Sequence, residues 1–137
     1  MRRAVGAITL GRTRPAEAER ALTKILIAIE PRSYREAIAL AVGSVRPSHE
    51  VTMVEPEDIS RELARLVPDL VFAPWPNTLA LGGRAAWVEF TPYETPQAKI
   101  CVLGRTTELA EVDFEDLLWV VDEVAGVART HRASGGC

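Results

Sequence analysis

The chain has 137 residues, 47% of them hydrophobic and 26% charged, with a formal net charge of -3. That length suits one domain, and the hydrophobic fraction excludes a mainly disordered chain. The weakly acidic balance gives no general attraction to nucleic acid or to an anionic membrane surface, so neither is expected as a partner.

Residues 1–23 carry Arg2, Arg3, Arg12, Arg14 and Arg20 against Glu17 and Glu19. Met1-Arg2-Arg3 ahead of Ala4 to Leu10 has a faint signal-peptide outline, but the apolar part is only about seven residues, the bare minimum. Gly11-Arg12-Thr13-Arg14-Pro15 interrupts it at once. The segment therefore reads as a basic, poorly ordered arm. No apolar stretch approaches the ~20 residues that span a bilayer, and a cytoplasmic protein is expected. One domain over 24–131 follows, then a short flexible tail at 132–137.

Lys24-Ile25-Leu26-Ile27-Ala28-Ile29 is a continuous apolar run bounded by Glu30-Pro31, the pattern of a strand buried on both faces of a parallel sheet. A helix is expected from about Ser33 to Val45, with Ala37, Ile38, Ala41, Val42 and Val45 at helical spacing. Ser33 with Glu36 three residues on has the capping-box spacing. Glu50 to Glu55 reads as a second strand. Pro56 then suits the start of a second helix with Ile59, Leu63, Leu66 and Val67 as its stripe, and Pro68 stops it. Asp69 to Ala73 is a third strand. Two β–α units joined by such short loops imply right-handed crossovers and a parallel sheet.

The second half follows a different pattern. Pro74-Trp75-Pro76-Asn77-Thr78 is a stiff loop. Ala86 to Phe90 and Lys99 to Leu103 are strand-like, with only about eight residues between them, too few for a crossover helix. They should be antiparallel neighbours, and Glu89 suggests that one face meets water. Thr106 to Leu109 can form another short strand. A last helix is expected from Asp113 to Thr130, with Asp113 as N-cap and Glu115 and Asp116 in the first turn. Its apolar face comprises Phe114, Leu117, Leu118, Val121, Val124, Ala125 and Ala128, widened by Trp119 and Val120. The acids Glu108, Glu111, Asp113, Glu115, Asp116, Asp122 and Glu123 surround it.

Cys101 reads as a buried small hydrophobe and Cys137 as an exposed thiol on the tail. With no C-x-x-C, and with His49 and His131 standing alone, no metal site is expected. No G-x-G-x-x-G or Walker loop follows the first strand, so no nucleotide cofactor is expected either.

Ile25-Leu26-Ile27-Ala28-Ile29-Glu30 through Arg35-Glu36, together with Pro68-Asp69-Leu70-Val71, resembles the opening of response-regulator receiver domains. The resemblance spans roughly Lys24 to Asn77. It implies an α/β fold: a flavodoxin/CheY-like parallel sheet (β-α-β-α-β), here followed by a C-terminal β-hairpin and a long final helix. Receivers hold magnesium with two acids after the first strand, and the matching positions are Ile29 and Glu30. The phosphorylated aspartate should close the third strand, where Pro74 stands. Thr91 is placed to match the switch hydroxyl, and Lys99 is no convincing match for the family's lysine. Phosphoryl transfer to a side chain needs a carboxylate nucleophile beside a metal, so aspartyl-phosphate chemistry is not expected.

The resemblance thus implies a degenerate, non-catalytic receiver acting as a phosphorylation-independent interaction or regulatory domain. Its partner would be another protein or a second copy of the chain. The expected contact surface is Trp119, Val120 and Glu123 with the Pro74–Asn77 loop. The alternative is a small ligand-binding or enzymatic domain using the crevice at the carboxyl ends of the strands, with Glu30, Arg32, Glu55, Trp75 and Asn77 as candidate binding residues.

Overall fold

A computed structural model describes residues 23–77, 86–102 and 104–130, with side chains as far as Gly126. The basic arm up to residue 22, the 78–85 segment, residue 103 and the tail with Cys137 lie outside the described residues; Thr23, expected in the arm, is buried, and its carbonyl accepts from the Glu50 N–H at 2.9 Å. In chain order the elements are β1 (Lys24–Ile27), α1 (Arg32–Val45), β2 (Glu50–Met53), a 3-10 turn (Pro56–Asp58), α2 (Ile59–Leu66), β3 (Leu70–Ala73), β4 (Ala86–Phe90), β5 (Ala98–Val102), β6 (Arg105–Leu109) and α3 (Phe114–Thr130). They build a six-stranded mixed sheet in the order β2-β1-β3-β4-β5-β6. The first four strands of that order are parallel. β4–β5 and β5–β6 are antiparallel.

Alternation along β1 explains why its apolar run is unbroken. Ile25, Ile27 and Ile29 join Leu70, Phe72, Val88, Phe90 and Ile100 on one face, covered by Ile38 and Val42 of α1 and by Leu117, Val120, Val121 and Val124 of α3. Leu26 and Ala28 point the other way, joining Val71, Ala73 and Trp87 beneath Ile59 and Leu63 of α2. A strand with a helical layer on each face needs apolar side chains at every position. The result is a three-layer α/β/α arrangement.

Asp69 clasps the amino ends of β1 and β3. Its N–H donates to the Lys24 carbonyl at 2.8 Å, and its carboxylate Oδ2 accepts from the Lys24 N–H at 2.9 Å.

The helix ends depart from expectation in one case and meet it in another. Pro31, not Ser33, is the N-cap of α1, and the Pro31 carbonyl accepts from the N–H groups of Tyr34 and Arg35 at 3.0 and 3.1 Å. Extended Pro31 suits that position because an N-cap must supply a carbonyl and needs no N–H of its own. Ala37 and Val45, expected on the apolar stripe, are exposed. At α3 a reciprocal box forms: Asp116 N–H donates to Asp113 Oδ1, and Asp113 N–H donates to Asp116 Oδ2, each at 3.0 Å. Each carboxylate there satisfies a donor that the helix start would leave unpaired.

Cys101 is also corrected. It is only partly buried and is disulfide-bonded, so it is not the plain buried thiol expected. Among the described residues no helix is long and apolar enough to cross a membrane.

The helical layer of α1 and α3 is tied at its edge by a two-pronged ion pair. Arg46 Nε and Nη2 donate to Asp122 Oδ1 and Oδ2, both at 2.8 Å. Hydrogen bonding from Arg46 is the main reason the Asp122 carboxyl is held below its ordinary range. A depressed folded pKa means that the pair contributes stability above the unfolded pKa and loses it as pH falls through the folded one. We expect stability to decline on acidification below about pH 4. Asp122→Asn should flatten part of that decline, read as urea midpoints measured from neutral to acid pH. The pair is half exposed, so its share should shrink in high salt.

Candidate functional site

The parallel strands deliver their carboxyl ends to one rim of the sheet, where ligands of open α/β sheets collect. Glu30 follows β1, Glu55 follows β2, Pro74 and Trp75 follow β3, and Thr91 follows β4 directly. Ile29 is fully buried in the core, Glu30 is exposed and Pro74 is half-buried. Among the described residues no group of three or more His, Cys, Asp or Glu side chains is arranged to hold a metal ion.

The expected binding residues do not form one site. Arg32 and Glu55 share a cavity of about 300 Å³ at the end of β2, between α1 and the 3-10 turn leading into α2. Glu30 does not line it. Asn77 instead lines a smaller cavity of about 180 Å³ with Trp87, Glu89, Lys99 and Thr106, on the α2 side of the sheet. Trp75 keeps 39% of its surface exposed. Its carbonyl accepts a 2.7 Å bond from the Trp87 indole N–H, so its backbone has a structural role whatever its ring contacts.

Across β4, β5 and β6 the register sets Glu89 opposite Lys99 and Lys99 opposite Glu108. The Lys99 ammonium lies 4.0 Å from Glu108. These side chains, with Thr91, Thr95 and Gln97, line a polar trough of about 450 Å³. Glu89, expected at a wetted face, is only partly buried, but its Oε1 is buried without a hydrogen-bond partner among the described residues.

Two features of the rim escaped the sequence reading. Tyr34, in the first turn of α1, meets Tyr93 of the β4–β5 loop edge to face with ring centroids 6.1 Å apart, and both rings are exposed. Arg35 is the second. It is only 4% exposed, in line with the buried Ile38 and Val42 on the inner stripe of α1. The signal was present, because residues 35, 38 and 42 fall on one helical face. Arg35 Nη2 reaches Glu55 Oε2 at 3.4 Å, while Nη1 is buried without a partner among the described residues.

Of the other acids of the first cavity, Glu36 and Glu62 are closely paired, and Asp58 lies 3.4 Å from the exposed Arg61. Arg32 bonds Glu36 at 2.8 Å. Arg65, at 2.6 Å, and Arg61 hold the Glu62 carboxyl below its ordinary range, the hydrogen bond from Arg65 being the largest cause.

On α3 the expected interface divides. Trp119 is 54% exposed and Glu123 is exposed, but Val120 is fully buried against the sheet and offers nothing to a partner. At about 100° per residue, Trp119 falls outside the inner stripe that Leu117, Val120, Val121 and Val124 form.

No protein-family model, curated protein or solved structure matches the chain. Function must therefore be read from these side chains.

Proposed function

We propose that this chain is a degenerate receiver-like domain, a cytoplasmic regulatory module that works through protein contacts and carries out no phosphoryl transfer. The observation that carries this reading is the presence of Ile29 and Pro74 just beyond the carboxyl ends of β1 and β3, within a parallel β2-β1-β3-β4 arrangement. That order is the flavodoxin-like one up to its fourth strand. At two of the three positions where a receiver carries carboxylates, this chain has a buried isoleucine and a proline. Glu30 alone is a poor magnesium site, and proline offers no nucleophile. The antiparallel β5 departs from a fully parallel receiver, and Lys99 lies at the beginning of that strand, opposite Glu89, where the receiver's lysine would end a strand.

The contact surface we assign is the outer face of α3 around Trp119 and Glu123, with a second copy of the chain as the partner to be tested first. A large exposed aromatic beside acids is a common anchor of protein interfaces. The measurement is sedimentation over a dilution series for the native chain and Trp119→Glu, each with and without acetyl phosphate and magnesium, with intact masses taken in parallel. Expected are a reversible association removed by Trp119→Glu, and no change in mass or association on adding the phosphodonor. A stable gain of one phosphoryl group would sink the reading. A monomer at every concentration would reject the second copy as partner.

A second reading is favoured by the buried Arg35 beside the 300 Å³ cavity: the rim at β2 binds a small molecule, and the domain reports its presence.

A further inference from the structure

We infer that the cavity at the end of β2 takes a small zwitterion, a free α-amino acid, whose carboxylate is received by Arg35 and whose ammonium sits among the acids around it. This deepens the ligand-binding reading and does not depend on the receiver resemblance.

The anomaly that points there is Arg35 itself. A guanidinium presents five N–H donors in a planar fork, and burying one is costly unless those donors are met. Arg35 is 4% exposed, yet among the described residues its guanidinium has one polar contact, at 3.4 Å, and an unpartnered Nη1. Elsewhere in the molecule Arg32–Glu36 closes at 2.8 Å, Arg46–Asp122 at 2.8 Å and Arg65–Glu62 at 2.6 Å, although each of those arginines is far more exposed. The contact of the buried Arg35 is as long as that of the largely exposed Arg61, which lies 3.4 Å from Asp58. It also sits in the first turns of α1, where the helix dipole disfavours a cation. A planar carboxylate is the acceptor that meets a guanidinium fork two bonds at a time.

The charges around the cavity narrow the ligand class. Glu55, Asp58 and Glu62 line it from the end of β2, the 3-10 turn and α2, and Glu36 lines it beside Arg32 and Arg35 on α1. A bare anion such as phosphate would enter against four carboxylates. A bare cation would leave Arg35 as it is. A zwitterion satisfies both sides, with its ammonium toward Glu55, whose side chain is half exposed, and Asp58. A cavity of about 300 Å³ holds a molecule of that size, and Met53 and Val54 supply an apolar strip for its side chain.

The test uses the full chain, with melting temperature and titration calorimetry read against each standard α-amino acid. Counter-arms are the N-acetyl derivatives (no ammonium), the corresponding amines (no carboxylate) and inorganic phosphate. At least one amino acid should raise the melting temperature. Removing either charged group should weaken its binding by about a hundredfold or more, as in sites built around such groups. Arg35→Met should abolish binding without lowering the melting temperature of the unliganded protein, since it replaces an under-satisfied buried charge by an apolar side chain of similar length. If Arg35→Met does not fold, Glu55→Gln keeps the arginine and should still weaken amino-acid binding more than N-acetyl-amino-acid binding. Equal binding of the N-acetyl form, or tighter binding of phosphate, overturns the zwitterion while leaving a ligand site. No binding by any compound overturns the ligand reading as well, and leaves Arg35 as a purely structural group.

Discussion

Replacing Val120 by aspartate should abolish the fold. Val120 is fully buried among Leu117, Val121 and Val124, on the face of the sheet that carries Phe72 and Val88. An aspartate there either keeps its charge, at a cost of several kcal/mol, or takes up a proton and loses the apolar contacts of the valine. Domains of this size are stable by only about 5–15 kcal/mol in all. The expected outcome is a chain with little native near-ultraviolet dichroism and no cooperative melting transition. Trp119→Asp is the control, because its side chain is half exposed. That variant should fold, with a change within about 1 kcal/mol. Comparable loss in the two variants would mean that α3 is seated in a different rotation from the one described.

The second large effect belongs to Phe72. It is among the largest fully buried side chains and lies in the middle of β3, which β1 and β4 flank in parallel. Truncation to alanine removes most of the apolar contact and leaves a cavity bounded by two neighbouring strands, with little freedom to collapse. Phe72→Ala should cost about 3–5 kcal/mol. The melting temperature should fall by on the order of 10–20 °C. The urea midpoint should fall with the slope unchanged, as for a simple loss of stability. A loss under about 1 kcal/mol would contradict a close-packed site at this position. Leu26→Ala on the opposite face is a useful companion, since Leu26 packs with Ile59 and Leu63 of α2. The two substitutions lie in separate layers, so their costs should add.

These stability experiments bear on function through the rim. Tyr34 and Arg35 are carried by the first turns of α1, and Thr91 is the first residue after β4. Their positions depend on the sheet below them being intact. Variants of Arg35 and Trp119 are therefore informative about binding only when the core variants set the scale of a general loss of structure.

Much of the architecture was legible in the residues alone. An apolar run without alternation, as from Ile25 to Ile29, specifies a strand covered on both faces, because no position can be left to water. The short β1–α1–β2–α2–β3 spacing forces parallel neighbours, and the eight residues between the second-half strands force an antiparallel pair. Asp113 with Asp116 declared the start of α3, because a local cap is written in adjacent residues. What the sequence could not decide were outcomes set by elements distant in the chain. Periodicity shows that α3 has an apolar face, but only its seating on the sheet decides that Val120 is inside and Trp119 outside. Arg35 shares the helical face of Ile38 and Val42, so its inward side was legible, but only the seating of α1 against β2 and the turn after it decides which acids it meets. The candidate binding residues were chosen as strand ends. Whether two ends share a cavity, as Arg32 and Glu55 do and Glu30 and Asn77 do not, depends on strand order and on the side of the sheet each loop takes. Local propensities carry neither quantity, because both arise from the three-dimensional packing of layers.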